Sequence, residues 1–188
     1  LPKTNYWIYP EKGDHDTCVE NYLNDLSQPF PVVYLSFPSA KDPDWSNRYP
    51  GKSSIDIITL LPYEPFEKWS DTSWKKRGEK YEAMKKEITD RLFRELYKQL
   101  PQLQGKVNCH ELSTPLTTQH FVNYAKGEVY GLDHGPSRFR QAFLKPRTPI
   151  KNFYFTGQDI VTAGVGGALF SGVLTAMAIS GKNILKKV

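Results

Sequence analysis

Asn152-Phe153-Tyr154-Phe155-Thr156-Gly157-Gln158-Asp159 is followed, after four intervening residues, by Gly164-Val165-Gly166-Gly167-Ala168, and no charged residue occurs from there through position 181. The aromatic run 152–156 predicts a buried strand, the glycines a turn, and the apolar stretch after them a helix reaching to about residue 187. This order suits a cofactor contact. Glycine lets the backbone come close to a flat or anionic ligand. The first turn of the helix leaves N–H groups unpaired at the positive end of the helix dipole, which suits phosphate or the electron-rich edge of a reduced flavin. Asp159, at the strand end, is placed to accept hydrogen bonds from sugar-like hydroxyls. The stretch is not the usual dinucleotide fingerprint. G-x-G-x-x-G would need glycine at position 169, where Leu169 stands, and the turn 156–164 is too long for that motif.

Ala168, Gly172, Ala176 and Ser180 recur every fourth residue of the expected helix, so one edge of it carries only small side chains and invites close packing. The uncharged run 160–181 approaches the length of a membrane span. The three glycines at its start and the hydroxyls of Thr162, Ser171, Thr175 and Ser180 argue instead for a helix buried in a core.

Upstream, 6–9, 32–37 and 55–61 are rich in β-branched and aromatic residues and are separated by Pro/Asp/Ser/Gly clusters, which predicts three strands of an antiparallel or mixed sheet. A helix is expected over 74–100, capped by Ser73 and stopped by Pro101. Tyr81, Met84, Ile88, Leu92, Leu96 and Leu100 make one apolar stripe along it. The segment 105–149 is irregular, with a strand expected at 107–112, a short helix at 114–121 and a loop at 127–140. Asp133 and His134 read there first as makers of loop hydrogen bonds, with a substrate-cavity role as the alternative.

The chain has 188 residues and a net charge of +5, with basic residues concentrated at 75–91 among acids, the pattern of a solvated helix face. No aromatic and basic stripe supports nucleic acid. Cys18 and Cys109 form no C-x-x-C, and the four histidines form no close pair, so no metal site is expected. Trp45, Trp69 and Trp74 read as packing residues, with a membrane surface or a lipophilic ligand as the other reading. The sequence begins at Leu1, and a processed or cut chain is expected.

The stretch 147–172 (Arg147-Thr148-Pro149-Ile150-Lys151-Asn152, Thr156-Gly157-Gln158-Asp159, Gly166-Gly167-Ala168, Ser171-Gly172) resembles the C-terminal flavin-contact motif of the phytoene desaturase-related FAD-dependent oxidoreductases, a group that includes carotenoid isomerase and retinol saturase. Ser113-Thr114-Pro115-Leu116-Thr117, Gly127-Glu128-Val129-Tyr130-Gly131-Leu132-Asp133-His134 and Arg138-Phe139-Arg140 are similar to that group too, and 37–43 leans toward its retinol-saturase side. The resemblance covers about residues 30–181.

It implies a mixed α/β (α+β) fold, part of an amine-oxidase-like flavoprotein. Residues 1–149 would be a substrate-domain portion, and 150–188 a strand–turn–helix returning to the FAD-binding domain. It further implies that Gly157, Gln158 and Asp159 approach the ribityl and pyrophosphate region of FAD, and that Gly166, Gly167 and Ala168 lie near the isoalloxazine. No acid or base is assigned. The implied function is reduction, desaturation or isomerisation of a hydrophobic isoprenoid or retinoid-like polyene. An amine oxidase-type flavoenzyme portion and a non-enzymatic binding domain are the alternatives. The N-terminal dinucleotide-binding half is expected to be missing, leaving this chain alone inactive and without retained FAD. A cytoplasmic or membrane-peripheral place is expected, with peripheral membrane contact left open.

Overall fold

A computed structural model describes residues 1–187, and the side chains through residue 185. It divides by packing into two compact units, residues 1–117 and 118–188. The boundary read at 149/150 concerned cofactor contact rather than packing.

Unit 1 is built on a three-stranded antiparallel sheet of β1 (Tyr6–Ile8), β2 (Val33–Ser36) and β3 (Asp56–Thr59), with β2 in the middle. The register puts Tyr6, Leu35 and Ile57 in one row and Ile8, Val33 and Thr59 in another, and both rows are on the face that packs on the core. The alternate row, Trp7, Tyr34 and Ile58, lies on the opposite face, where the Trp7 and Tyr34 rings stand 4.6 Å apart. This is the two-residue period expected of a sheet with one covered face.

Between the strands lie α1 (His15–Asn24) and two single-turn helices, α2 (Pro38–Lys41) and α3 (Trp45–Arg48). A 3₁₀ turn, Glu64–Trp69, follows β3. The long helix α4 (Glu79–Gln99) packs along β2. Its buried residues, Tyr81, Ile88, Leu92 and Leu96, are members of the predicted stripe, while Met84 is half-buried. The helix begins five residues later than expected and is preceded by Gly78 (φ +84°), not capped by Ser73. The core of unit 1 joins these residues to Tyr22, Phe30, Phe37, Phe66, Leu100 and Leu116.

Asp14 caps α1. Its carboxylate accepts from the Thr17 N–H (2.9 Å) and the Thr17 hydroxyl (2.6 Å), and these bonds hold its pKa below the ordinary carboxylate range. A depressed folded pKa contributes stability that is complete above the unfolded value, about 3.9. That stability is lost as pH falls through the folded pKa. The protection of the Thr17 amide, its exchange rate relative to that of an unstructured chain at the same pH, should therefore fall on acidification. Asp14→Asn, which keeps an acceptor without a titrating group, should remove that step, and a step of equal size in the variant would show that Asp14 is not its source.

Unit 2 carries α5 (Pro115–Val122), which enters it from unit 1, then the single turn α6 (Pro136–Phe139) and the sixteen-residue α7 (Val165–Ser180). Two expected strands are not formed. Residues 107–112 are irregular, and 152–156 is reduced to a single bridge, Arg147 with Tyr154. A strand needs a partner along its length. Here Phe155 N–H reaches only Pro146 O, and Phe153 and Phe155 stay exposed. The core of unit 2 is inverted in composition: among the described residues its buried side chains are Arg138, Ser171 and Thr175, all polar.

Candidate cofactor loop

The loop 157–163 lies between the 154 bridge and α7, and hydroxyls of α7 hold its beginning. Gly157 turns the chain at φ +100°, and its N–H donates to Ser171 Oγ at 2.9 Å. Thr175 Oγ1 donates to the Phe155 carbonyl at 2.9 Å. Gly167, Ser171 and Thr175, spaced by four, are thus the buried face of α7. With no strand ladder to satisfy the backbone at 155–157, these side chains do so. Much of the apolar surface of α7 consequently faces outward, with Val165 88% and Leu169 72% exposed, while Val173, Leu174 and Met177 are half-buried. The small-residue edge faces outward too, and nothing lies within 4 Å of a Cβ built on Gly172. Among the described residues no close neighbour packs on that edge at Gly172.

Gln158 and Asp159 are both held by residues distant in sequence. Gln158 Nε2 donates to Tyr124 Oη at 3.0 Å, and its carbonyl accepts from Arg138 Nη2 at 2.9 Å. Asp159 Oδ1 accepts the Leu132 N–H at 2.9 Å, while Oδ2 has no hydrogen-bond partner among the described residues. Gly131 (φ +71°) adjoins that carboxylate so closely that a Cβ there would lie 2.2 Å from Oδ1. At the far end of the loop the Ala163 N–H donates to His134 Nε2 at 2.7 Å. Asp133 Oδ2 accepts the Gly135 N–H at 3.2 Å, so the Asp133-His134 pair makes the loop hydrogen bonds expected of it.

The α7 glycines serve different purposes. A Cβ on Gly167 would lie 2.0 Å from the Thr162 carbonyl oxygen, so backbone packing requires glycine there. Gly166 is exposed, with open space where its side chain would be. Gly164 precedes the helix with φ +94° and offers no side-chain cap. The first-turn N–H groups of α7 therefore lack intrahelical partners. The sequence reading named 157–159 and 166–168 as the cofactor contact; it quoted Arg138 and Ser171 only within the family resemblance, took Ser171 and Thr175 only as hydroxyls of a core helix, and gave Tyr124 no role. Only the four-residue spacing of the two hydroxyls could have given a signal.

Unit 1 holds two clefts, of about 190 and 320 Å³. Glu82, Lys85 and Glu111 are among the residues lining the first, and Lys41, Asp42 and Lys52 among those lining the second. The first contains the Lys85–Glu111 ion pair (2.5 Å), whose hydrogen bond lowers the Glu111 pKa. Such charged walls do not suit a polyene. Among the described residues no group of three or more histidines, cysteines and acids could hold a metal, and no helix is long and apolar enough to cross a membrane.

No family profile and no solved structure matches the chain. Curated relatives do. The chain is 37% identical to human all-trans-retinol 13,14-reductase over 98% of its own length. It is 37% identical over 95% to a zebrafish protein named inactive all-trans-retinol 13,14-reductase. It is 26% identical over 95% to a chloroplastic prolycopene isomerase of Arabidopsis thaliana. It spans only about 29–31% of the length of these proteins. Over nearly its whole length, then, this chain is homologous to a part of the all-trans-retinol 13,14-reductases and, more distantly, of the prolycopene isomerases.

Proposed function

We propose that this chain is the C-terminal portion of an FAD-dependent oxidoreductase acting on a hydrophobic retinoid or carotenoid-like polyene. In this reading residues 150–188 contact the FAD, through Gly157, Gln158 and Asp159 on the loop and Gly166, Gly167 and Ala168 on α7. The observation that carries it is the match, over 98% of the chain, to a protein named for reducing retinol. The residues suit the cofactor. Asp159 Oδ2 is free to accept from hydroxyls, Gly166 leaves open surface for close approach, and the start of α7 offers unpaired N–H groups. When bound, FAD would supply the two-electron chemistry on the polyene. The chain's part is to bind and orient. Asp159 would orient the cofactor through ribityl hydroxyls, since a carboxylate beside pyrophosphate would repel it.

The zebrafish relative named inactive supports a second reading, a binding protein without turnover.

Asp159→Ala in the longer protein should weaken FAD retention about ten- to a hundredfold, as expected for loss of hydrogen bonds to a charged acceptor. Because Asp159 also holds the Leu132 N–H, melting temperature and FAD affinity must be read on the same preparation. Lower stability with unchanged FAD affinity of the folded fraction would leave Asp159 a turn residue only, and the FAD assignment of the loop would fall.

A further inference from the structure

The loop 157–163 is fastened from one side by a separate stretch of chain, residues 131–138. Three bonds do this, and they bind the loop at both ends. Arg138 Nη2 donates to Gln158 O (2.9 Å) and the Leu132 N–H donates to Asp159 Oδ1 (2.9 Å) at the start, while His134 Nε2 accepts from the Ala163 N–H (2.7 Å) at the end. Within the loop itself the recorded backbone bond is Ile160 N–H to Gly157 O, at 3.2 Å. An isolated loop of this kind has many conformations, and the external bonds select one.

The two side chains of this bracket are constrained in their chemistry. A ring nitrogen that accepts an N–H carries no proton of its own, so the bond from the Ala163 N–H places the ring proton of His134 on Nδ1. Arg138 is only 7% exposed, stacks 5.1 Å from the Phe139 ring, and has a buried Nη1 without a partner. A guanidinium held so far from water on one carbonyl is expensive to keep, and a packing role alone would be filled better by an apolar side chain.

We propose that His134 and Arg138 are positioning residues: they fix the shape of the 157–163 loop and thereby set its affinity for the cofactor, acting through Ala163 and Gln158. The cofactor half of this statement rests on the FAD reading above.

The test uses His134→Ala and His134→Gln, the latter because a glutamine amide oxygen can accept where Nε2 does, together with Arg138→Met. In this chain, without cofactor, exchange of the Ala163 amide should quicken about tenfold in His134→Ala, the size of one lost hydrogen bond. It should return toward normal in His134→Gln. The imidazole ¹⁵N spectrum of the parent chain should show the proton on Nδ1. In the longer protein, FAD should dissociate about tenfold more readily from His134→Ala and from Arg138→Met, and His134→Gln should recover most of the loss. Unchanged Ala163 exchange in His134→Ala, or a proton found on Nε2, would overturn the bracket. Quickened exchange with unchanged FAD affinity would overturn its role toward the cofactor. Asp159→Ala measured alongside tells whether the FAD reading falls with it: if that variant loses FAD and the His134 and Arg138 variants do not, only the positioning proposal fails.

Discussion

Gly167→Ala should destabilise the chain by about 3 kcal/mol, whereas Gly166→Ala, one residue away, should be neutral or slightly stabilising. The added methyl at 167 would lie 2.0 Å from the Thr162 carbonyl oxygen and 2.8 Å from its carbon. Backbone cannot turn aside as the end of a side chain can, so the upper part of the usual 1–3 kcal/mol range for overpacking applies. At 166 the methyl meets open space, and alanine is the better helix former. The expected reading is a thermal transition lowered by roughly 6–12 °C for 167 alone. It should be accompanied by faster exchange of the Ala168 amide, which donates to Gly164 O. Equal melting temperatures for the two variants would mean that α7 does not begin against Thr162. In the longer protein the ranking should invert for FAD affinity, because Gly166 is the position with surface left for a ligand.

Phe66→Ala should cost about 3–5 kcal/mol, the range for removing a fully buried phenylalanine. Phe66 is 0% exposed, with ring centres 6.3 Å from Tyr81 and 6.4 Å from Trp69. It lies in the 3₁₀ turn between β3 and α4, so its ring ties that connection to the start of the long helix. The variant should show a red-shifted emission as Trp69 meets water, together with a lowered melting temperature. A loss below about 1 kcal/mol would show that the surrounding rings collapse into the space, and that Phe66 is not a keystone of unit 1.

Unit 1 was largely legible in the sequence because its elements carry periodic patterns. The β-branched and aromatic runs at 6–9, 32–37 and 55–61, set off by turn clusters, give the three strands, and the stripe from Tyr81 to Leu100 gives α4 and its buried face. Phe66 was not legible, since a single turn has no period to read. In unit 2 the aromatic run 152–156 has the composition of a strand, but pairing is a property of two segments, and among the described residues its pairing is the single bridge of Tyr154 with Arg147. The start of α7, though not its end (Ser180, where about 187 was expected), followed from its glycines and apolar run. Its orientation did not, because hydrophobicity predicts which residues avoid water, and this helix turns Ser171 and Thr175 inward to serve backbone left without a ladder. The glycines and Asp159 of the candidate loop stood out in sequence. His134 stood out as a maker of loop hydrogen bonds, but its partner, and those of Leu132 and Arg138, did not, because a bond across some twenty to thirty residues of irregular chain leaves no local pattern.

The outward-facing α7 has a consequence for handling the protein. With Val165, Leu169, Phe170 and Ile179 exposed on one helix, and no apolar side chain buried among the described residues of unit 2, the hydrophobic surface there is available to any passing molecule. Purified by itself, the chain should be limited by colloidal rather than conformational stability. Samples would cloud with rising concentration at temperatures where the helix signal is still intact, and polar replacements at Val165 and Leu169 would clear the solution without raising the melting point.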